Sequence, residues 1–309
     1  MSYSDRLWKL FCIASVVGIW PQFIEPRLLV TQTISLKIPG LEGLKIVQFS
    51  DLHFQASTSS RFLDKLERKI KAGKPDLIVF TGDFLCYGEL SQPERLEAFL
   101  RRFEEYPCYA ILGNHDYAQF VSLNETGEFD VVPKAKSQIK RALCRLIENP
   151  TVTGRATVRA KAVGRHRPLL QLLEKTPFRL LENETCQITL KERTFNLTGL
   201  GEYNLGRVNS LLAFARYDKS FPGIVMLHNP DAIPLLNHSP GELILSGHTH
   251  GGQINLPGLW QRFTLMEHPR FKSGYVHHRG RHHYISRGVG GVVSFRVNAV
   301  PEVTHFQFV

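Results

Sequence analysis

Five short polar clusters hold the residues best suited to chemistry: Asp51-Leu52-His53, Gly82-Asp83, Gly113-Asn114-His115-Asp116, His228-Asn229-Pro230-Asp231 and Gly247-His248-Thr249-His250. Any one alone is weak, since a histidine after a strand is commonly a hydrogen-bonding residue and Gly-Asp is a common turn. Together they offer imidazole, carboxylate and carboxamide, a set that suits zinc, iron or manganese and lacks the thiolates of a soft site. Two such cations, about 3.5–4 Å apart, share a bridging carboxylate and promote in-line displacement at phosphorus. The neighbouring glycines allow close backbone approach with no Cβ in the way.

The elements that must position these clusters are legible in the hydrophobic pattern. Residues 33–38 alternate with period two, and 44–49 form a second strand ending at Asp51. Residues 60–73 place Phe62, Leu63, Leu66 and Ile70 on one helical face. The run 76–80 is a buried strand ending at Gly82-Asp83. A helix over 93–104 leads to a strand over 108–112, which ends at Gly113-Asn114. Further strands are predicted over 187–190, 194–200, 223–227 and 242–245, the last two ending at His228 and Gly247-His248. The tail from 284 to 309 alternates β-branched and aromatic residues and is predicted to close as sheet. Chemistry just past the carboxyl ends of strands is where open α/β sheets place their sites.

The ordered set D-x-H, G-D, G-N-H-D, H and G-H-T-H resembles the calcineurin-like metallophosphoesterase family from about Ile46 to the C-terminus. The resemblance implies an α/β (α+β) fold, a four-layer β-sandwich flanked by helices, and two divalent cations, Mn2+ foremost with Fe or Zn as alternatives. It implies that Asp51, His53, Asp83 and His250 hold the first metal, that Asp83 bridges, and that Asn114, His228 and His248 complete the second. His115 matches the family histidine that contacts the phosphate and protonates the leaving group, with Asp116 orienting its imidazole. One departure is Leu227, where some relatives have glycine before the ligand histidine; it changes backbone freedom and leaves the donor atom in place.

The composition bounds the setting. The 309 residues, 43% hydrophobic and 21% charged, suit one large α/β domain with an insertion and argue against extensive disorder. Five scattered cysteines without C-x-x-C spacing exclude a disulfide framework and a thiolate zinc site, and point to a reducing compartment. A formal net charge of +10 favours anionic partners. No zinc finger, RNA-recognition motif or continuous basic helix marks a nucleic-acid partner, so none is expected.

The apolar run Leu10–Trp20, ended by Pro21, is short for a membrane span of roughly 20 residues and suits an interfacial helix, with a core-packing N-terminal helix and an uncleaved signal anchor as the alternatives. The expected division is a membrane-associating segment over 1–30 and a phosphoesterase domain over 31–309. Residues 134–179, with twelve Lys or Arg against Glu148 and Glu174, read as a basic, partly helical insertion and a candidate lid or substrate-docking element. Apolar stripes at Ile139, Leu143, Leu146 and Ile147 and at Leu169, Leu170, Leu172 and Leu173 run through it. Its Arg155, Arg159, Arg165 and Arg167 are candidate phosphate clamps, because guanidinium binds phosphate in bidentate fashion. His277, His278, His282 and His283, with Arg279 and Arg281, read as a basic surface loop. Asn204 and Arg207 are candidate cleft residues.

Gly251-Gly252-Gln253-Ile254, Leu256-Pro257, Ser286-Arg287-Gly288-Val289-Gly290, Arg296 and Pro301-Glu302-Val303 resemble the membrane-associated bacterial branch of the family. With the apolar N-terminus and basic insertion, the whole chain most resembles the UDP-2,3-diacylglucosamine pyrophosphatases of lipid A synthesis. That resemblance implies an acylated nucleotide-sugar substrate, release of UMP, and a place at the cytoplasmic face of the bacterial inner membrane. A broad phosphodiesterase or phosphatase acting on envelope phospholipids or nucleotides is the alternative. A non-catalytic scaffold of the same fold would be expected to lack ligands, and here all are present. Oligomeric state is left open by the sequence.

Overall fold

The computed structural model describes residues 18–133 and 151–309. In chain order its strands are β1 (Val30–Leu36), β2 (Lys45–Phe49), β3 (Leu77–Phe80), β4 (Cys108–Ala110), β5 (Val121–Leu123), β6 (Phe129–Val131), β7 (Phe178–Leu180), β8 (Glu184–Leu190), β9 (Arg193–Gly199), β10 (Gly223–Met226), β11 (Leu243–Ser246), β12 (Gly274–His278), β13 (Arg281–Ile285) and β14 (Glu302–Phe308). The helices are α1 (Ser60–Ala72), α2 (Pro93–Arg101), α3 (Val158–Lys161), α4 (Arg167–Leu173), α5 (Ser210–Ala213) and α6 (Trp260–Phe263).

Two six-stranded sheets face each other, ordered β1-β14-β2-β3-β4-β7 and β12-β13-β11-β10-β9-β8. In each, four neighbouring strands run parallel: β2, β3, β4 and β7 in the first, and β9, β10, β11 and β13 in the second. Period-two alternation decides which layer each side chain joins. On β3, Leu77 and Val79 enter the core between the sheets, while Ile78 and Phe80 join the core under the helices. On β10, Ile224 and Met226 face the inter-sheet core, and Val225 joins the third core on the far side. Four layers result, as the family resemblance implies. α1 covers the first sheet through Leu63, Leu66 and Ile70, and its start is capped by the Ser59 hydroxyl, which accepts from Phe62 N at 3.2 Å.

Several expectations are revised. The final strand occupies only Glu302–Phe308; residues 286–301 form a loop that returns past the site, because Gly288, Gly290 and Gly291 interrupt the β pattern. The described part of the basic stretch is not a detached lid. Leu169, Leu172, Leu173 and Phe178 are core residues, Leu170 packs against that core, and β7 is the edge strand of the first sheet beside β4. Packing, not charge, governs this segment. Residues 134–150, with the stripe at Ile139, Leu143, Leu146 and Ile147, lie outside the described residues, as does most of the N-terminal apolar run. The histidine-rich stretch is the antiparallel hairpin of β12 and β13, with His283 buried, rather than a surface loop.

Candidate metal centre

The clusters leave the carboxyl ends of parallel strands on both sheets: Asp51 and His53 after β2, Asp83 after β3, Asn114 after β4, His228 after β10, and His248 and His250 after β11. The loops interlock. Asp51 N donates to Gly82 O at 2.8 Å, His53 N to Asp83 O at 3.0 Å, and Gly247 N to His228 O at 3.0 Å. Across the sheets, His248 N donates to Asp51 Oδ1 at 3.0 Å. Gly82, at φ +97°, would bring a Cβ within 2.5 Å of His228 Nδ1, and a Cβ on Gly113 would collide with Asp83 Oδ1. These glycines thus let the ligand-bearing loops approach each other.

Six of the seven candidate ligands of the sequence come together in two groups, and the seventh, Asn114, lines the same cavity as His248 and His250. Asp51, His53 and His250 offer ligand atoms within 4.8 Å of one another, and Asp83, His228 and His248 form a second such group. Asp83 Oδ2 stands between the groups, 3.5 Å from His53 Nε2 and 3.3 Å from His228 Nε2. Its other oxygen accepts from His115 N at 2.9 Å, which fixes the carboxylate plane. Asn114 Oδ1 is buried without a hydrogen-bond partner.

The imidazole orientations test the fit to a cation. His228 Nδ1 lies 2.7 Å from Thr81 O, which can only accept, so Nδ1 carries a proton and Nε2 is the ring atom left to face a cation. His53 Nδ1 lies 3.1 Å from Leu85 O, with the same consequence. Two imidazole Nε2 atoms, the Asp83 oxygen between them and an orphaned carboxamide oxygen form a buried set of Lewis bases that fits divalent cations. A third group, His53, Cys86 and His115, shares His53 with this cluster and is not an independent site.

Five of the seven residues adopt left-handed backbone: Asp51 (φ 55°), His53 (44°), Asp83 (64°), His248 (70°) and His250 (50°). Such conformations cost roughly 1 kcal/mol or more each outside glycine, and a cluster of them is held only by over-determined surroundings. The electrostatics show the same conflict. Burial works against the Asp83 carboxylate, and the positive charge of a protonated His228 holds its pKa well below the ordinary range, a charge that a bound cation would supply in its place. Burial pushes His115 and His248 down to about 3.

His115 lines the cavity but has a different partner from the one expected. Its Nδ1 accepts from the backbone N–H of Tyr87 at 2.9 Å, so the neutral ring carries its proton on Nε2. Asp116 does not orient it. Instead the Asp116 carboxylate accepts from Asp83 N at 2.9 Å, Leu85 N at 2.9 Å and Gly113 N at 3.0 Å, tying two ligand loops together. The four arginines Arg155, Arg159, Arg165 and Arg167 are all exposed and none lines the cavity over the cluster; Arg165 pairs with Glu182 at 2.6 Å. Arg207 is likewise turned away, stacked over the Tyr117 ring, whereas Asn204 does line the cavity.

Arg296, noted in the sequence only as a point of resemblance, has a structural part in the site. Buried at 2% exposure, its guanidinium donates to Arg287 O at 2.8 Å and Ala299 O at 2.7 Å, and meets His250 Nδ1 at 3.1 Å. A lone arginine in a glycine-rich tail carries no local signal of this burial. The open cavity above the cluster has a volume of about 200 Å³. Asn114, His115, Asn204, His248 and His250 supply polar groups, and Phe120, Leu123, Phe129, Phe263, Leu265, Met266 and Val292 form apolar walls.

Residues 44–252 match the calcineurin-like phosphoesterase family. The chain is 36% identical over 305 residues to the UDP-2,3-diacylglucosamine pyrophosphatase LpxG of Chlamydia trachomatis, covering 92% of this chain and 91% of that one. The Chlamydia muridarum protein of the same name is 35% identical, with the same coverage. Phosphodiesterase YaeI of Escherichia coli is 27% identical over 86% of this chain and 82% of its own. With a match over more than half its length, and with relatives aligned almost end to end, the chain belongs to the calcineurin-like phosphoesterase family.

Proposed function

We propose that the chain hydrolyses the diphosphate of UDP-2,3-diacylglucosamine, giving UMP and 2,3-diacylglucosamine 1-phosphate. The observation that carries this reading is the likeness to LpxG, which extends over 92% of the chain and so includes the flanks as well as the family core. The cavity supports it: a polar floor at the metal cluster suits a diphosphate, and the apolar walls suit acyl chains in the same space.

Asp51, His53, Asp83 and His250 would hold one cation and Asp83, Asn114, His228 and His248 the other, with Mn2+ the proposed metal. When bound, such a pair supplies Lewis acidity at the phosphoryl oxygens and a water of lowered pKa. His115 presents Nε2–H toward the cavity as a neutral donor, because the Tyr87 N–H occupies its other nitrogen. It is therefore placed to stabilise charge growing on the leaving or phosphoryl oxygen. Asp116 keeps the Asp83 and Asn114 loops in register and touches no substrate.

Location at a membrane surface belongs to the same proposal. No described helix is long and apolar enough to cross a membrane. Ile19, Trp20, Phe23, Ile24 and Leu28 are nevertheless exposed at the start of the described chain and suit an interfacial attachment at the inner membrane.

The test is turnover. Purified full-length protein with Mn2+ should release UMP from UDP-2,3-diacylglucosamine, and His115→Ala should lower the rate roughly a hundredfold or more. Hydrolysis confined to simple aryl phosphodiesters, without UMP release, would replace this reading by the broad phosphodiesterase.

A further inference from the structure

Asn204 follows β9 and lines the cavity beside Asn114 and His248, although it is only 3% exposed. The direction of its carboxamide is settled by a chain of obligatory partners. The backbone N–H of Asp231 can only donate, and it meets Asn229 Oδ1 at 2.9 Å. Asn229 therefore offers its NH2 group to Asn204, and Nδ2 meets Asn204 Oδ1 at 2.7 Å. With Oδ1 committed as acceptor, the NH2 of Asn204 occupies the other branch of the amide, and no acceptor for it lies among the described residues. The backbone fixes the base of this arrangement, since Asn204 N donates to Glu202 Oε1 at 3.0 Å. The side chain is nearly buried, and its amide donor, without a protein acceptor, is left free to meet a ligand in the cavity.

We infer that Asn204 is a substrate-binding residue, its Nδ2 donating to a phosphoryl oxygen, and that Asn229 is the positioning residue that determines which end of the Asn204 amide faces the cavity. Phosphoryl oxygen is the acceptor indicated because Asn204 shares the cavity floor with Asn114, His115, His248 and His250. The inference rests on the phosphoester-hydrolase reading above and adds to it a donor outside the metal ligands. Orientation is the essential point: the flipped amide would present a carbonyl oxygen to an anion and repel it.

The experiment measures binding of inorganic phosphate by calorimetry to the Mn2+-loaded full chain, with metal content checked for every variant. Asn204→Ala should weaken phosphate about tenfold, the value of one hydrogen bond to a charged group, at unchanged metal content. Asn204→Asp keeps the acceptor for Asn229 but places a carboxylate oxygen in the cavity, and should weaken it further. Asn229→Asp still accepts from Asp231 N but has nothing to donate, so the Asn204 amide should turn over and phosphate affinity should fall. In an Asn204→Ala background the same Asn229→Asp change should cost little, since no amide remains to be reversed.

Phosphate affinity unchanged in Asn204→Ala overturns the inference, and so does a loss of metal in that variant, which would make the role structural. An equal effect of Asn229→Asp in both backgrounds would attribute the effect to added charge and overturn the relay. A wild-type protein that neither binds phosphate nor releases UMP defeats the hydrolase reading itself, an outcome distinct from an active wild type with an indifferent Asn204.

Discussion

Asp83 uses its two oxygens differently: Oδ1 is fixed by the backbone N–H of His115, and Oδ2 faces the Nε2 atoms of His53 and His228. Removing that carboxylate takes away the group shared by both halves of the cluster. We expect Asp83→Ala to abolish turnover and lower bound metal, read by UMP release and metal analysis; near-normal turnover would refute the site. Asp116 has a separate task. Its carboxylate accepts three buried backbone N–H groups, and Asn in its place would direct an NH2 at one or more of them. Asp116→Asn should destabilise the fold by roughly 2–3 kcal/mol, measured by denaturant unfolding. A variant as stable as wild type would show that the two loops are held by other contacts.

At the scale of elements, the glycines that flank the ligands act through the loops they allow to meet. Gly113→Ala should lower metal content and activity together, because a Cβ there collides with Asp83; an active, fully loaded variant would show that the β4 loop can retreat without loss. The β12–β13 hairpin supplies a pH-dependent contribution far from the chemistry. Burial pushes the His283 imidazole down to about 4, and its Nδ1 has no hydrogen-bond partner. The unfolded chain binds this proton more tightly than the folded one, since the ordinary value is about 6.5. The contribution of His283 is therefore complete above about pH 6.5 and is lost as the pH falls toward 4. Replacing it with phenylalanine should remove on the order of 1–3 kcal/mol of the acid sensitivity between those values. Unfolding curves of both proteins at pH 7 and pH 5 make the comparison, and parallel losses in the two would contradict it.

For the whole molecule, a net charge of +10 and an apolar N-terminal edge predict association with anionic bilayers. The segment after Ile19 also belongs to the folded body: Arg296 N donates to Pro21 O at 2.8 Å, and Glu25 is buried where its carboxylate accepts from Ala299 N. Deleting residues 1–19 should thus leave hydrolysis of a water-soluble phosphodiester within about twofold while lowering binding to anionic vesicles, and the residual binding should weaken with salt. A deletion through residue 24 should cost stability as well. Vesicle binding unaltered by the shorter deletion would place the attachment elsewhere on the surface.

The sequence by itself determined the reaction class. Asp51, His53, Asp83, Asn114, His228, His248 and His250 are of ligand type and each follows a hydrophobic run whose period marks a strand, so strand positions and chemistry were legible from local pattern alone. The long parallel core was legible for the same reason. Tertiary structure decided what depends on contacts between distant segments. It gave the Tyr87 N–H to His115 and turned Asp116 to the backbone, because the loops after β3 and β4 meet there. It made Leu169, Leu172 and Leu173 core residues, since an edge strand at Phe178–Leu180 draws that basic segment onto the first sheet, and it left the neighbouring arginines in solvent. It buried Arg296 and oriented Asn204 through Asn229. Periodicity reports which face of an element is apolar; the partner each polar atom finds across the fold is set only when the two sheets close on one another.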